Sequence, residues 1–470
     1  MKNLRLTFLT FILFIHCSFT CSFSQDILGK WSGVLDVPGK SLRIVINIDT
    51  MGQGYTATME SPDQSGTIME LTETTFRDNH LKFIFSKYKI EYTGELINNK
   101  IEGTFSQSGH DFPLNFSRGL IEKKTNSRPQ EPKLPYTYNV EEVQFKNVKA
   151  NVTLAGTLTL PKEGGLFPVV VLISGSGPQN RNEELLGHKP FLVLSDFLTK
   201  NGIAVLRYDD RGVGKSEGKF ELATTHDFAT DAESAIAYLK TRKDINIKKI
   251  GLIGHSEGGI IAPIIASRSK DVAFIVMMAG TGLPGNEILL EQYKLIGQAR
   301  GVDVSEMQDD LNVNKQAFDM ISKSKNVSRL KSDLTVFFTL EFDKDKNMSL
   351  PEGVSKEMFI QEQINQLTSP WMINFIKYNP AKALKKTKCP VLAIIGQNDL
   401  QVPAGSNLSA IQKWLKKAGN KDATVKELPG LNHLFQESKT GSPDEYANIE
   451  QTISPIALYE IVEWLKARIK

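Results

Sequence analysis

The chain has almost no cysteine: 3 in 470 residues. Two of them, Cys17 and Cys21, fall in an N-terminal stretch that reads as a removable leader. Only Cys389 remains, so a mature chain holds no internal disulfide. A core of this size does not need one, even in an oxidising compartment. Cys389 stands just before an apolar strand with no histidine near it in sequence, which reads as a small hydrophobe rather than a nucleophile. An excess of charge is also missing. Lys and Arg number 56 and Asp and Glu 53, a net charge of +3. That balance leaves no electrostatic footprint for nucleic acid or an anionic membrane. The apolar stretch at 6–19 is shorter than the roughly 20 residues a spanning helix needs. It follows Lys2 and Arg5, and Ser22 and Ser24 suit cleavage near Ser24–Gln25. Residues 1–25 therefore read as a secretory signal peptide. The expectation is a secreted or periplasmic protein with no membrane insertion once the signal is removed.

Glycine is missing where two decoy motifs would need it. Gly212-Val213-Gly214-Lys215-Ser216 looks like the end of a phosphate loop, but Asp209 stands where that loop needs its first glycine. Asp343-Lys344-Asp345-Lys346-Asn347-Met348-Ser349 looks like the start of a calcium loop. It lacks the glycine at the sixth position and the glutamate at the twelfth, where Val354 stands. His80 and His110 read as solvated loop residues. Nothing in the sequence calls for a metal or a cofactor.

What is present divides the chain. Residues 26–121 carry short alternating runs such as Ser41-Leu42-Arg43-Ile44-Val45-Ile46-Asn47-Ile48, separated by turn formers. That spacing predicts an all-β meander barrel or sandwich. Its opening Gly29-Lys30-Trp31 is similar to the lipocalin-type G-x-W start, over three residues only. Residues 122–138, with Pro129, Pro132 and Pro135 among polar residues, read as a semi-extended, unpacked linker. From 139 to 470 strands and helices alternate. Near-continuous apolar strands at 169–173, 203–208, 250–253, 272–278 and 391–395 fit a parallel sheet buried on both faces. Helices are expected at 188–200, 227–242, 259–268, 406–418 and 454–469. This is the grammar of a doubly wound α/β domain. Residues 282–384 break the alternation with helical patterns at 287–299 and 305–322 and a charged middle. Such an insertion would sit over the strands' C-terminal ends as a lid.

The chemistry centres on Gly254-His255-Ser256-Glu257-Gly258, which reads G-x-S-x-G between a strand and a helix. A serine at the tip of that turn points out of the sheet, where a base can reach it. The base needs an orienting carboxylate. His433 is the one histidine after Ser256, in the glycine-bearing loop Pro429-Gly430-Leu431-Asn432-His433. Asp399 follows the apolar strand at 391–395, at its C-terminal tip. The developing oxyanion needs backbone donors. The N–H of Glu257 is one candidate; Ser176, in Ser174-Gly175-Ser176-Gly177-Pro178, is the other, with Gly177 as its neighbour alternative. Gly175 and Gly177 would let the substrate approach the backbone. Arg181 is a candidate clamp for a substrate carboxylate, its alternative being a structural ion pair. Asp210 and Arg211 are expected to pair with each other and brace the nearby loop.

Together these features resemble the α/β-hydrolase superfamily, and within it bacterial serine esterases related to the serine aminopeptidase group. The likeness is carried by the stretch 174–182, by Arg207-Tyr208-Asp209-Asp210-Arg211-Gly212-Val213-Gly214-Lys215-Ser216, by the elbow and by the Asp399/His433 pair. Ser369-Pro370-Trp371 and Tyr378-Asn379-Pro380 look similar to lid segments of those esterases. The resemblance spans about 140–470 and implies a serine hydrolase acting on small carboxylic esters or amides. Ser174 departs from it, standing where many relatives have histidine. A peptidase acting on short peptides is the alternative. It would need acidic residues such as Glu183, Glu184 or lid carboxylates for a charged terminus. A non-catalytic binding protein, with the β-domain as its active part, is the rival from another class.

Overall fold

The structure, a computed structural model, describes residues 27–37, 40–52, 54–63, 68–107, 110–119, 127–344, 350 and 354–469. The leader at 1–25, the first part of the linker and residues 345–349 of the calcium-like loop lie outside them. The chain divides into two units, one ending at Lys124 and the next beginning at Thr125.

The first unit is antiparallel throughout. Its strands are β1 (Gly29–Val37), β2 (Lys40–Met51), β3 (Gly54–Glu60), β4 (Met69–Glu70), β5 (Glu73–Arg77), β6 (His80–Phe85), β7 (Ile90–Ile97), β8 (Lys100–Gln107), β9 (His110–Pro113) and β10 (Phe116–Arg118). They run in the order β4-β3-β2-β1-β10-β8-β7-β6-β5, with β9 on β8. Two backbone bonds extend these pairings into the link between β4 and β5. The Leu71 N–H reaches Ala57 O at 2.9 Å, and the Thr72 N–H reaches Ile84 O at 2.8 Å. Period-two side chains such as Leu42, Ile44, Ile46 and Ile48 turn inward around buried Trp31, Phe83, Tyr92 and Phe116. The Arg118 guanidinium lies 4.4 Å from the Trp31 ring centroid, a cation–π contact that seals one side of the indole.

The second unit holds an eight-stranded sheet: β11 (Asn139–Asn147), β12 (Val152–Leu160), β13 (Phe167–Ile173), β14 (Ala204–Tyr208), β15 (Ile245–His255), β16 (Phe274–Met278), β17 (Val391–Gly396) and β18 (Ala423–Leu428). The order is β11-β12-β14-β13-β15-β16-β17-β18. β11, β12 and β14 pair antiparallel, and from β14 to β18 every pairing is parallel. Alternation along β13 shows why both faces need cover. Val169, Val171 and Ile173 join a core with helices α2 (Thr225–Leu239), α3 (Glu257–Ala266) and α10 (Ala404–Ala418). Val170 and Leu172 join the opposite core, with α1 (Pro190–Lys200) and α11 (Pro455–Lys466). Local chemistry sets the ends of these helices. Thr224 and Asp227 form a reciprocal capping box at the start of α2. Gly419, at φ 68°, ends α10 in the left-handed conformation.

Between β16 and β17 the chain inserts α4 (Gly285–Ala299), α5 (Val304–Lys323), α6 (Val327–Lys344), α7 (Lys356–Leu367), α8 (Pro370–Lys377) and the short α9 (Ala381–Leu384). The insertion has its own small core, including Phe318, Ile321, Leu330, Leu334, Ile360, Ile364 and Ile376. The charged middle of this region therefore holds two helices, α6 and α7, whose few inward apolar residues left little periodicity to read.

Two expectations need correcting. The described part of the linker is packed rather than free. The Arg128 guanidinium donates to Ile449 O and Ala447 O, and Gln130 bonds Ile453 O and the Thr452 N–H. Polar side chains that look solvated in sequence here satisfy backbone groups of the C-terminal segment. Asp210 and Arg211 do not pair with each other. Arg211 forms a two-toothed bond with Asp231, while Asp210 accepts from the Ser174 hydroxyl and the Gln179 N–H.

Candidate active site

The end of β15, the turn at residue 256 and the start of α3 make a sharp elbow. Ser256 sits at φ 52°, ψ −112°, a region that side-chain-bearing residues rarely occupy. Its N–H is held by Met278 O at 2.8 Å. Two glycines permit the turn by close approach. A Cβ at Gly254 would lie 1.9 Å from Gly258 O, and one at Gly258 would lie 2.0 Å from Ile173 O. Both clashes are with backbone, so neither can be relieved by a side-chain rotation.

His433 and Asp399 come together from separate loops. His433 Nδ1 and Asp399 Oδ2 are 2.8 Å apart, with both side chains buried. The other carboxylate oxygen, Asp399 Oδ1, accepts the N–H groups of Gln401 and Val402, each at 2.8 Å. Three donors thus fix the carboxylate. The histidine loop is shaped by Asn432, whose side-chain oxygen accepts the N–H groups of Leu434 and Gln436.

Ser256 and His433 line one cavity of about 290 Å³, with Gly175, Ser176, Glu183, His255 and Glu257 around the serine. Its remaining wall is mostly apolar: Ile260, Ile288, Leu289, Trp371, Phe375 and Leu434. Helices α4 and α8 of the insertion supply four of these, so the insertion roofs the site. No lysine or arginine is among the described lining residues.

Two buried carboxyl groups flank the serine. Glu257 accepts from the Thr225 hydroxyl at 2.6 Å and the Trp371 indole N–H at 2.9 Å. Burial pushes its pKa up, and the hydrogen bonds from Thr225, Trp371 and Ser176 offset this only in part. The Glu183 carboxylate accepts from the Gly175 N–H at 2.7 Å and lies 2.9 Å from His255 Nδ1. Gly175 itself sits close over the elbow, its Cβ position 3.2 Å from Ser256 Cβ.

Other predicted residues lie elsewhere. Gly177, at φ 96°, is not among the lining residues. Arg181 takes the structural alternative. It grips Asp209 with two nitrogens and bonds Glu142 and Thr157 with a third. All of its donor-bearing nitrogens are committed, and it is not part of the cavity wall. Cys389 is half-buried, and burial pushes its thiol up to about 11, so it stays protonated at neutral pH. His255 and Glu183 were the residues that sequence reasoning did not join. They lie 72 positions apart, and the sequence offered Glu183 only as a seat for a peptide terminus and His255 only as part of the elbow.

Parts of the chain are similar to known proteins. The family described as "Serine aminopeptidase, S33" matches residues 190–338, a span that includes Ser256 but not Asp399 or His433. Esterase EstD of Thermotoga maritima is 27% identical over 349 residues, covering 74% of this chain and 73% of its own length. An uncharacterized 31.7 kDa protein of Escherichia coli is 22% identical over 258 residues, covering 54% of this chain and 81% of its own. Among solved structures, the Pyrococcus furiosus esterase Pf2001 aligns over 74% of this chain and 100% of its own, at 17% identity and a TM-score of 0.43. With its strand order, elbow and roofing insertion, the second unit has an α/β-hydrolase fold similar to that of the serine aminopeptidase-like esterases, and in the chain it follows an all-β domain.

Proposed function

We propose that this protein is a secreted serine hydrolase that cleaves carboxylic esters of small acyl substrates. The observation that carries this reading is the His433–Asp399 bond at 2.8 Å beside a serine held on a strained elbow. His433 Nε2 removes the Ser256 proton as Oγ attacks the acyl carbon. The oxyanion is received by the N–H groups of Glu257 and Ser176. The Gly175 N–H is already bound to Glu183, which is why the donor from that loop is assigned one residue further on. Collapse of the intermediate breaks the acyl–oxygen bond, and the proton on His433 passes to the leaving alkoxide. Water, deprotonated by the same imidazole, then releases the acid and restores Ser256. Asp399 keeps the proton on Nδ1 and stabilises the imidazolium as it forms. No cofactor enters the cycle.

The small apolar cavity supports a short acyl group, and no lysine or arginine lines it among the described residues, which disfavours anionic substrates. The peptidase alternative needs a carboxylate free to receive an ammonium group. Glu183 is engaged by Gly175 and His255, Glu257 by Thr225 and Trp371, and Glu184 is exposed beside Asn180. The relative named Esterase EstD supports the ester reading. Parallel assays separate the two. p-Nitrophenyl acetate and butyrate are expected to turn over with kcat/KM at least about 100-fold above aminoacyl p-nitroanilides. Anilides as good as the esters would reverse the order of the two readings. Secretion rests on residues 1–25 and is checked by N-terminal sequencing of the exported protein, with cleavage near Ser24–Gln25 expected.

A further inference from the structure

The site contains a second imidazole–carboxylate pair that the triad does not use. His255 Nδ1 lies 2.9 Å from Glu183 Oε1, and His255 Nε2 lies 2.9 Å from the backbone oxygen of His433. A carbonyl oxygen has no proton to give, so Nε2 carries one. Glu183 Oε1 also accepts the Gly175 N–H, and a carboxylate oxygen has a second lone pair to receive Nδ1–H. With both ring nitrogens donating, the ring is an imidazolium opposite a carboxylate. The two side chains are only 8% and 6% exposed. In such surroundings neither charge is stable without the other.

The pair touches three segments at once. Glu183 holds the N–H of Gly175, in the loop after β13, close over Ser256. His255 belongs to the elbow itself. Its Nε2 holds the backbone of His433, and the two imidazole rings stand 4.9 Å apart. We propose that Glu183 and His255 are positioning residues, a buried ion pair that fixes the oxyanion loop and the His433 loop relative to Ser256. This rests on the Ser-His-Asp reading above for its kinetic consequences, but not for the state of the His255 ring. The pair has no bond to the reacting atoms. It acts by keeping the base and the oxyanion donors in register, where an error near 1 Å can cost about a hundredfold.

The charged groups around His255 agree. Burial alone would lower its pKa. The Glu183 carboxylate and the hydrogen bonds to Glu183 and His433 O outweigh it, with Asp399 adding to them from the loop after β17, and the value is raised. A raised value fixes the sign. The pair's contribution is whole below the ordinary histidine value and is lost as pH climbs through the raised one.

The test uses the full mature chain with ¹⁵N-labelled histidine. In the wild type, the His255 ring is expected to keep both nitrogens protonated above the ordinary histidine value of about 6.5, and in Glu183→Gln to lose the second proton at lower pH. A wild-type ring that is singly protonated at or below that value overturns the ion pair, whatever the enzyme's activity. With p-nitrophenyl butyrate, Glu183→Gln is expected to lower kcat by about 10–100-fold with KM within about threefold. Its alkaline limb should also differ from the wild type's. Glu183→Asp, which keeps the charge, is expected to recover part of the loss. In His255→Gln and the double variant the losses should not add, because the pair acts as a unit. Unchanged kcat in Glu183→Gln, or additive losses, would overturn the positioning role. Wild-type protein that neither turns over esters nor takes a fluorophosphonate label fails the triad reading instead, and the ring protonation still reports on the pair. Should Glu183→Gln not fold, the wild-type spectrum and Glu183→Asp carry the test.

Discussion

Ser256→Ala is expected to lower kcat on p-nitrophenyl esters by about a million-fold, the size of loss typical when a triad nucleophile is removed. The same variant should take no label from a fluorophosphonate probe. The argument is local. Ser256 is the one hydroxyl placed at the tip of the elbow, and Cys389, with its thiol protonated at neutral pH, offers no substitute. Residual catalysis would come only from the oxyanion donors and binding, which give about a thousandfold or more over water. The loss must not reflect unfolding. Alanine occupies the same backbone and fills less space, so the melting temperature should be no lower than the wild type's. A variant that keeps more than about one hundredth of wild-type turnover, after contaminating esterases are excluded, removes Ser256 from the mechanism.

Asp399→Asn should have the next largest effect, about ten-thousandfold in kcat with little change in KM. Asp399 Oδ1 is anchored by the N–H groups of Gln401 and Val402, which the amide oxygen of asparagine can also receive. The amide nitrogen then faces His433 Nδ1 and donates to it. That reverses the existing bond, in which Nδ1–H donates to the carboxylate. The ring must carry its proton on Nε2, where a base for Ser256 is needed. The fold should be retained and the tautomer wrong. Measuring kcat alongside the rate of fluorophosphonate labelling checks this, since both need the same base. A loss below about tenfold would mean that another carboxylate orients His433.

The sequence made Ser256, His433 and Asp399 readable for different reasons. Ser256 announced itself through glycines whose purpose is steric and local. His433 and Asp399 were found through order along the chain, because strand ends in a doubly wound sheet converge at one edge. The parallel strands were legible since a strand buried on both faces has almost no choice of residue. The first unit was legible as all-β but not in its strand order. Leu71 and Thr72 bond to β3 and β6 through the backbone, and backbone bonds leave no side-chain signature. Helices α6 and α7 were hidden because they bury few apolar residues. Arg181 stayed open between two readings for a different reason. A guanidinium near an active-site loop looks the same in sequence whether it meets a substrate or, as here, Asp209. The Glu183–His255 pair was invisible because its partners are a side chain far away in sequence and a backbone oxygen.

The backbone at Ser256 has a consequence for how this protein can change over time. Holding a non-glycine residue at φ 52° costs on the order of 1–3 kcal/mol. A domain's whole margin is only about 5–15 kcal/mol. Glycine at that position would release the strain and delete the nucleophile in one step. Selection for heat resistance and selection for turnover therefore pull residue 256 in opposite directions. A library sorted by folding alone would drift toward glycine there, and one sorted by catalysis would hold the serine.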